Sequence, residues 1–418
     1  MPTAAPNSDL QPAGDRFLAM LARMLHEAGT PAHRLEGLVT SCADRLGLSV
    51  SVFSLPTWIN ISVGEEGRQR SISFRVDPGS PKLAMLEETY RVADRVAVGE
   101  LDAEQGITAL SRVRGRVTRP RPLANCAGYA LFSAGAAFFL GGSWAEMFAS
   151  VPVGLIVGAS IALAVGHRER ELLAEFGAAL IGTVIASIVV LGARRAGIEV
   201  SAAIVCLAGL VTLLPGLSLA TAMSELSTRN LASGSARLIG AITTLVVVGM
   251  GAGMGDRVAQ LIGLPQHTSF VVPVTQTAAV SFKLVVALLA IAGGLAIVFQ
   301  ARPRRAGVVL ASCVLGWISV RIAREFGGSE LAPVLAAATI GIIGNCYARW
   351  RRRPTLAIVL PGLALLLPGS IGFRGMQGII ASDTLAGLNT AISALVVAAS
   401  IAAGLLIANA IAPSPRHV

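Results

Sequence analysis

The chain has 418 residues, 54% of them hydrophobic and only 14% charged, with a mean hydropathy of +0.69. Soluble domains carry about 25% charged residues, so a wholly soluble fold is excluded and a polytopic membrane protein is indicated. The net charge of +10 does not signal nucleic acid, because the arginines cluster at the ends of apolar runs, without interleaved aromatics or a recognisable binding module.

Residues 1–14 read as a short disordered tail, lacking the basic start and apolar core of a signal peptide. Residues 15–115 have ordinary polarity and read as a small α+β domain on the cytoplasmic side. Phe17, Leu18, Leu21, Met24 and Leu25 recur at helical spacing up to Gly29, and Leu35, Leu38, Val39 and Cys42 do so up to Gly47. Alternation then predicts three strands, through Val50 and Val52, through Ile59, Ile61 and Val63, and through Ile72, Phe74 and Val76. Gly64-Glu-Glu-Gly67 is a natural hairpin turn between the last two, and helices near 82–98 and 102–114 follow.

From Leu123 the chain is a series of apolar runs: 123–141, 144–165, 172–192, 199–223, 235–255, 278–299, 306–323, 331–348, 355–373 and 388–410. Most reach the ~20 residues that cross a bilayer, and 306–323 and 331–348 are the marginal ones. The expectation is about ten transmembrane helices, divided between residues 116–260 and 270–412. With the N-terminal domain inside, the inner loops hold Arg116/119/121, Arg168/170, Arg229/237, Arg302/304/305 and Arg349/351–353. The outer loops hold fewer: Arg194/195, Arg257, Arg321/324 and Arg374. By the positive-inside rule both termini are cytoplasmic, in an inner or cell membrane.

One phrase occurs twice. Gly209-Leu-Val-Thr-Leu-Leu-Pro-Gly216 and Gly362-Leu-Ala-Leu-Leu-Leu-Pro-Gly369 match at six of eight positions, and the same offset of 153 pairs Gly234 with Gly387. Five spans per copy is an odd number, so the copies form two inverted five-helix repeats. Each puts a Pro-Gly inside an apolar run, and paired breaks of this kind point to a transporter's binding site.

After the first break (Pro215, Gly216), Ser218, Thr221, Glu225 and Thr228 share a helical face. Such a face suits a wet cavity for a small zwitterion, with Glu225 taking a proton or pairing with an amine; the alternative is a polar helix end with a surface carboxylate. After the second (Pro368, Gly369), Arg374 could hold a substrate carboxylate in a two-pronged hydrogen-bonded pair. Asp383 could carry a coupling proton or simply cap the next helix. Arg237 and Asn389 lie just inside the following helices and either line the cavity or sit at headgroups. Glu171 and Glu175, one helical turn apart, read as a solvated interfacial cluster rather than a proton relay.

The five cysteines and five histidines have no metal spacing, and no nucleotide or nucleophile motif appears, so no cofactor, metal or catalytic residue is expected. The chain is read as a transporter and not as an enzyme.

Several stretches together carry a family resemblance: Gly29-Thr-Pro-Ala-His-Arg-Leu-Glu36, Leu46-Gly-Leu-Ser-Val-Ser-Val-Phe-Ser-Leu-Pro-Thr-Trp-Ile59, Gly141-Gly-Ser-Trp144, and above all the run from Leu214 to Arg237. The chain resembles the threonine/serine exporter family over nearly its whole length. The resemblance implies a ten-span inner-membrane carrier that exports threonine and serine on the proton-motive force. The family often has Asp in the helix after the first Pro-Gly, where this chain has Glu225. Relatives with separate halves are linked to dicarboxylate export, which keeps a succinate-like substrate as an alternative. A membrane-anchored enzyme or sensor acting through residues 15–115 is another. The implied partners are a small solute, protons and the lipid bilayer; a homo-oligomer is compatible with this reading.

Overall fold

The computed structural model describes residues 12–77, 81–117, 122–164, 171–265, 281–366, 368–381 and 383–413. Most of the expected tail, residues 1–11, lies outside the described residues.

Helices α1 (Ala13–Glu27) and α2 (Ala32–Arg45) form where the apolar spacing predicts them. Gly29 and Gly47 end them in left-handed backbone, with φ of 80° and 70°, the conformation only glycine adopts without cost. Strands β1 (Val50–Leu55), β2 (Trp58–Val63) and β3 (Arg70–Arg75) make one antiparallel sheet in that order. Its register aligns Val52, Ile61 and Ile72, and also Ser54, Ile59 and Phe74. Alternation therefore puts one apolar face on the helices. On the other face Ser71 and Ser73 both donate to Asn60 Oδ1 at 2.6 Å. Gly64 and Gly67 take positive φ in the β2–β3 turn. Helices α3 (Leu83–Ala97) and α4 (Ala103–Val117) complete this region. Phe17, Leu21, Ile59, Ile61 and Leu86 are wholly buried in it. Buried Asp15 on α1 is held by Arg70 of β3 through Nε at 2.5 Å and Nη2 at 3.0 Å.

The remainder is helical: α5 (Pro122–Phe139), α6 (Trp144–Ala164), α7 (Glu171–Arg195), α8 (Ala202–Leu210), α9 (Gly216–Ser227), α10 (Leu231–Leu261), α11 (Phe282–Val298), α12 (Ala306–Arg351), α13 (Leu356–Leu363), α14 (Pro368–Ile380) and α15 (Thr384–Ile411). Among the described residues seven helices are long and apolar enough to cross a membrane, or eight if the bent pair α8–α9 is one span. α5 and α11, at 18 and 17 residues, are not among the seven, and one of the seven runs through α13 and α14 (Leu356–Ile380). Large apolar side chains such as Leu173, Ile188, Met250, Ile392 and Val396 face outward, as a lipid-facing surface requires. The chain is a polytopic helical membrane protein.

The runs expected to be marginal are not short. α12 is broken at Gly328 (φ 63°, ψ −170°), and with the 3-10 turn before it (Pro303–Arg305) it gives spans Pro303–Gly328 of 26 residues and Glu330–Arg351 of 22. The expected run stops at Ala323, but arginine and glutamate are good helix formers and the helix continues through Arg324 and Glu325, with an Arg321–Glu325 pair one turn apart.

Candidate functional site

α8 tightens into a 3-10 turn over Val211–Leu213 and stops at Pro215, which has no N–H to continue the ladder. α9 restarts at Gly216, bent by 53° from α8. The Gly216 N–H closes the corner by donating to Leu214 O at 2.8 Å. In the second copy α13 ends at Leu363 and α14 begins at Pro368.

The two breaks meet. A Cβ on Gly369 would fall 2.8 Å from Gly216 N and 3.0 Å from its Cα, and a Cβ on Gly216 would fall 3.1 Å from Gly369 N. Only glycine allows the two backbones so close. Against this contact lies a cavity of about 130 Å³, lined by Thr212, Pro215, Gly216, Ser218, Phe299 and Pro368 among others. That is well under the ~300 Å³ at which drug-sized sites begin, and it suits a small solute. Its walls are mostly apolar, with hydroxyls at Thr212 and Ser218. Thr212 Oγ1 is buried with no hydrogen-bond partner among the described residues.

The cavity thus brings together Pro215, Gly216, Ser218 and Pro368, with Gly369 in contact behind them. Thr221, Glu225, Thr228, Arg237, Arg374, Asp383 and Asn389 do not line it. Thr221 is half-buried, and Thr228 Oγ1 donates to the carbonyls of Ser224 (3.0 Å) and Glu225 (3.1 Å) at the end of α9. Arg374 is half-buried on α14. Asp383 is exposed and accepts from Ala386 N at 3.4 Å as the N-cap of α15, and Asn389 is exposed.

Glu225 is wholly buried and saturated. It accepts from Ser233 Oγ at 2.9 Å, from Arg237 Nε and Nη2 at 3.2 Å each, and from the Ala32 backbone N–H at 3.0 Å. The last donor belongs to α2. A second contact with the N-terminal region lies at α3. Glu87 sits between Arg305 (3.3 Å) and Arg353 (3.5 Å), Glu88 accepts from Arg302 at 2.6 Å, and the Leu83 N–H donates to Phe299 O at 2.8 Å. Two histidines lie near the Glu225 contact. Burial pushes His33 down to about 4, with Arg34 adding to the effect and Glu225 opposing it. Burial also lowers His26, whose Nε2 lies 2.9 Å from Pro56 O.

Two residues escaped the sequence reading. Thr212 is the one hydroxyl inside the repeated phrase, at a position where the other copy has Leu365. Glu175 on α7 is bonded by Thr244 of α10, yet its Oε2 is buried without a partner among the described residues. Its spacing from Glu171 suggests a wet helix end, and only the packing of α10 against α7 covers it.

The family model for threonine/serine exporters matches residues 16–259, and a second, also described as threonine/serine exporter, matches residues 267–411. The threonine/serine exporter of Corynebacterium glutamicum is 25% identical over 308 residues, covering 69% of this chain and 59% of that one. Pheromone-regulated membrane protein 10 of Debaryomyces hansenii and of Saccharomyces cerevisiae are each 24% identical over 90% of this chain, which spans 38% and 49% of their lengths. The chain thus spans about a third to three fifths of the length of the curated relatives it matches. No solved structure matches.

Proposed function

Because the chain belongs to the threonine/serine exporter family, we propose that it is a secondary exporter of small hydroxy amino acids, driven by the proton gradient. The observation that carries this reading is the small cavity where the two helix breaks meet. The substrate lies in that cavity, beside the contact between the breaks and against Pro215, Gly216 and Pro368, and its hydroxyl bonds to Thr212 and Ser218. A site that hydrogen-bonds a hydroxyl rejects analogues without one, because its own polar groups are then left unpaired.

Two inverted five-helix repeats rock about this site, and several equivalences support them. The offset of 153 carries the N-cap of α10, Asn230, onto the N-cap of α15, Asp383. A Cβ on Gly234 would meet Leu226 N and Ala222 O, while one on Gly387 would meet the equivalent Ile379 N and Gly375 O. α9 packs on α10 and α15, and α14 likewise packs on both. The N-terminal region and both termini are cytoplasmic in this reading.

Proton uptake needs a carboxylate that can exist both charged and neutral within a span. Glu225 and Asp383 are the sequence candidates. Glu225 is already filled by four hydrogen bonds from Ser233, Arg237 and Ala32, and Asp383 caps a helix at an exposed end. Glu175 lies within a span and has one buried oxygen without a hydrogen-bond partner among the described residues, and it is assigned that role here.

The test is counterflow in proteoliposomes with labelled threonine, serine and succinate, with and without a pH gradient. Threonine and serine should move, faster with the gradient. Movement of succinate alone would overturn the substrate, and movement indifferent to the gradient would overturn the coupling.

A further inference from the structure

Glu225 has the chemistry of a transport carboxylate but stands outside the cavity. A buried carboxylate is costly unless paired, and Ser233 and Arg237 pair it within the membrane helices. The remaining donor, Ala32 N, is the first helical residue of α2. The N-terminus of a helix offers unsatisfied N–H groups and partial positive charge, so the contact docks one specific backbone site on one specific side chain. The residue equivalent to Glu225 in the second half is Gly378. The dock exists in one half only.

The second half is held elsewhere, by Glu87 and Glu88 of α3 against Arg302, Arg305 and Arg353, and by the backbone bond from Leu83 to Phe299. Phe299 lines the cavity, and Glu225 lies on the helix that begins at the first break. One closely packed unit therefore touches the broken helix of one half and the cavity wall of the other. Packed interiors hardly stretch, so such a unit fixes the separation of what it joins.

We infer that the N-terminal region is a brace between the two membrane halves, and that Glu225 is a positioning residue whose dock on α2 keeps the cavity closed toward the N-terminal side. The α3 contact has three ion pairs and a backbone bond, whereas the α2 contact has a single N–H donor. The α2 dock is thus the one that opens when the halves move. The inference uses the transport reading only for that motion.

The test needs no substrate. Ser218→Cys places a reporter thiol in the cavity, in a full-length chain with Cys126→Ser and Cys346→Ser to remove the two native thiols that are not buried. Ala32→Pro deletes the donor and turns its ring Cδ toward the Glu225 carboxylate in a buried place, so the dock is lost on both counts. Pro31 already has the extended ψ of 149° that a residue before proline needs, and proline is favoured at the first helical position. A charged thiol reagent applied from the N-terminal side should label the reporter about tenfold faster after Ala32→Pro or Glu225→Gln, the effect of losing one hydrogen bond to a charged group. The double variant should be no faster than Ala32→Pro alone, since Ala32→Pro already removes the bond that Glu225→Gln weakens by making its acceptor neutral. An unchanged melting temperature separates an opened dock from an unfolded chain; if Glu225→Gln does not fold, Ala32→Pro alone carries the test. Unchanged labelling, or acceleration that adds in the double variant, overturns the brace. Faster labelling in a protein that moves neither threonine nor serine would refute the substrate reading and leave the brace standing.

Discussion

Gly216 and Gly369 stand in backbone contact, so that a Cβ on Gly369 would lie 2.8 Å from Gly216 N. The atom it meets is main chain and cannot rotate away. Gly369→Ala should therefore part the two breaks, at the ~1–3 kcal/mol typical of overpacking, and abolish transport while the protein still inserts. Gly240→Ala is the control, since a Cβ there meets nothing within 4 Å. Transport assays and melting curves on both variants check this. A Gly369→Ala protein with normal transport would mean the contact is incidental.

The cavity hydroxyls should act on substrate choice. Thr212→Val keeps the shape and removes the oxygen. With a net ~0.5–1.5 kcal/mol per hydrogen bond, the KM for threonine and serine should rise roughly three- to tenfold while maximal rate changes little. Ser218→Ala should act in the same direction. A rate loss at constant KM would instead point to a role in moving the helices.

Much of this arrangement is legible in the residues, and the illegible parts share a cause. Period and alternation locate α1, α2 and the three strands because each buries one face locally. The repeated Leu-Leu-Pro-Gly locates both breaks because proline cannot donate to the helical ladder, although Pro152, Pro333 and Pro361 are accommodated inside α6, α12 and α13. Glu225 is different. Its spacing from Ser218 and Thr221 suggests a common wet face, but its partners include Ala32, 193 positions away, and no local pattern encodes that pairing. Glu175 fails for the same reason, being covered by a helix far along the chain. Asp383 fits a proton carrier or a cap on sequence alone, and in the fold its carboxylate accepts from Ala386 N as the N-cap of α15.

Coupling is tested at Glu175. Glu175→Gln keeps the bond to Thr244 within reach and removes the titratable proton. Gradient-driven export should be lost while exchange of labelled for unlabelled threonine continues. Asp383→Asn, on an exposed cap, should leave both intact. If Glu175→Gln remains gradient-driven, the proton travels elsewhere and Glu225 returns as the first candidate.

The docked state should also respond to pH, in a direction set by the histidines beside it. Burial holds His33 at about 4, against an ordinary 6.5, and lowers His26 as well. A histidine kept neutral by its surroundings contributes stability that is fully present above 6.5. That stability is lost as pH falls toward 4, because the open form takes up the proton first, at ~1.4 kcal/mol per unit of difference. The groups facing them are Arg34 and Glu225 for His33, and Arg237 and Glu225 for His26. Glu36, whose carboxyl is raised by burial, pulls the opposite way near the bottom of that window, so the effect is best read between about pH 6.5 and 5.5. Labelling of the Ser218→Cys reporter should accelerate as pH falls through this range, after correction for the reagent's own pH dependence on an exposed thiol. His33→Gln should flatten the response and Ala32→Pro should remove it, the dock being already open. An acceleration that survives both substitutions would assign the pH response to groups within the membrane helices.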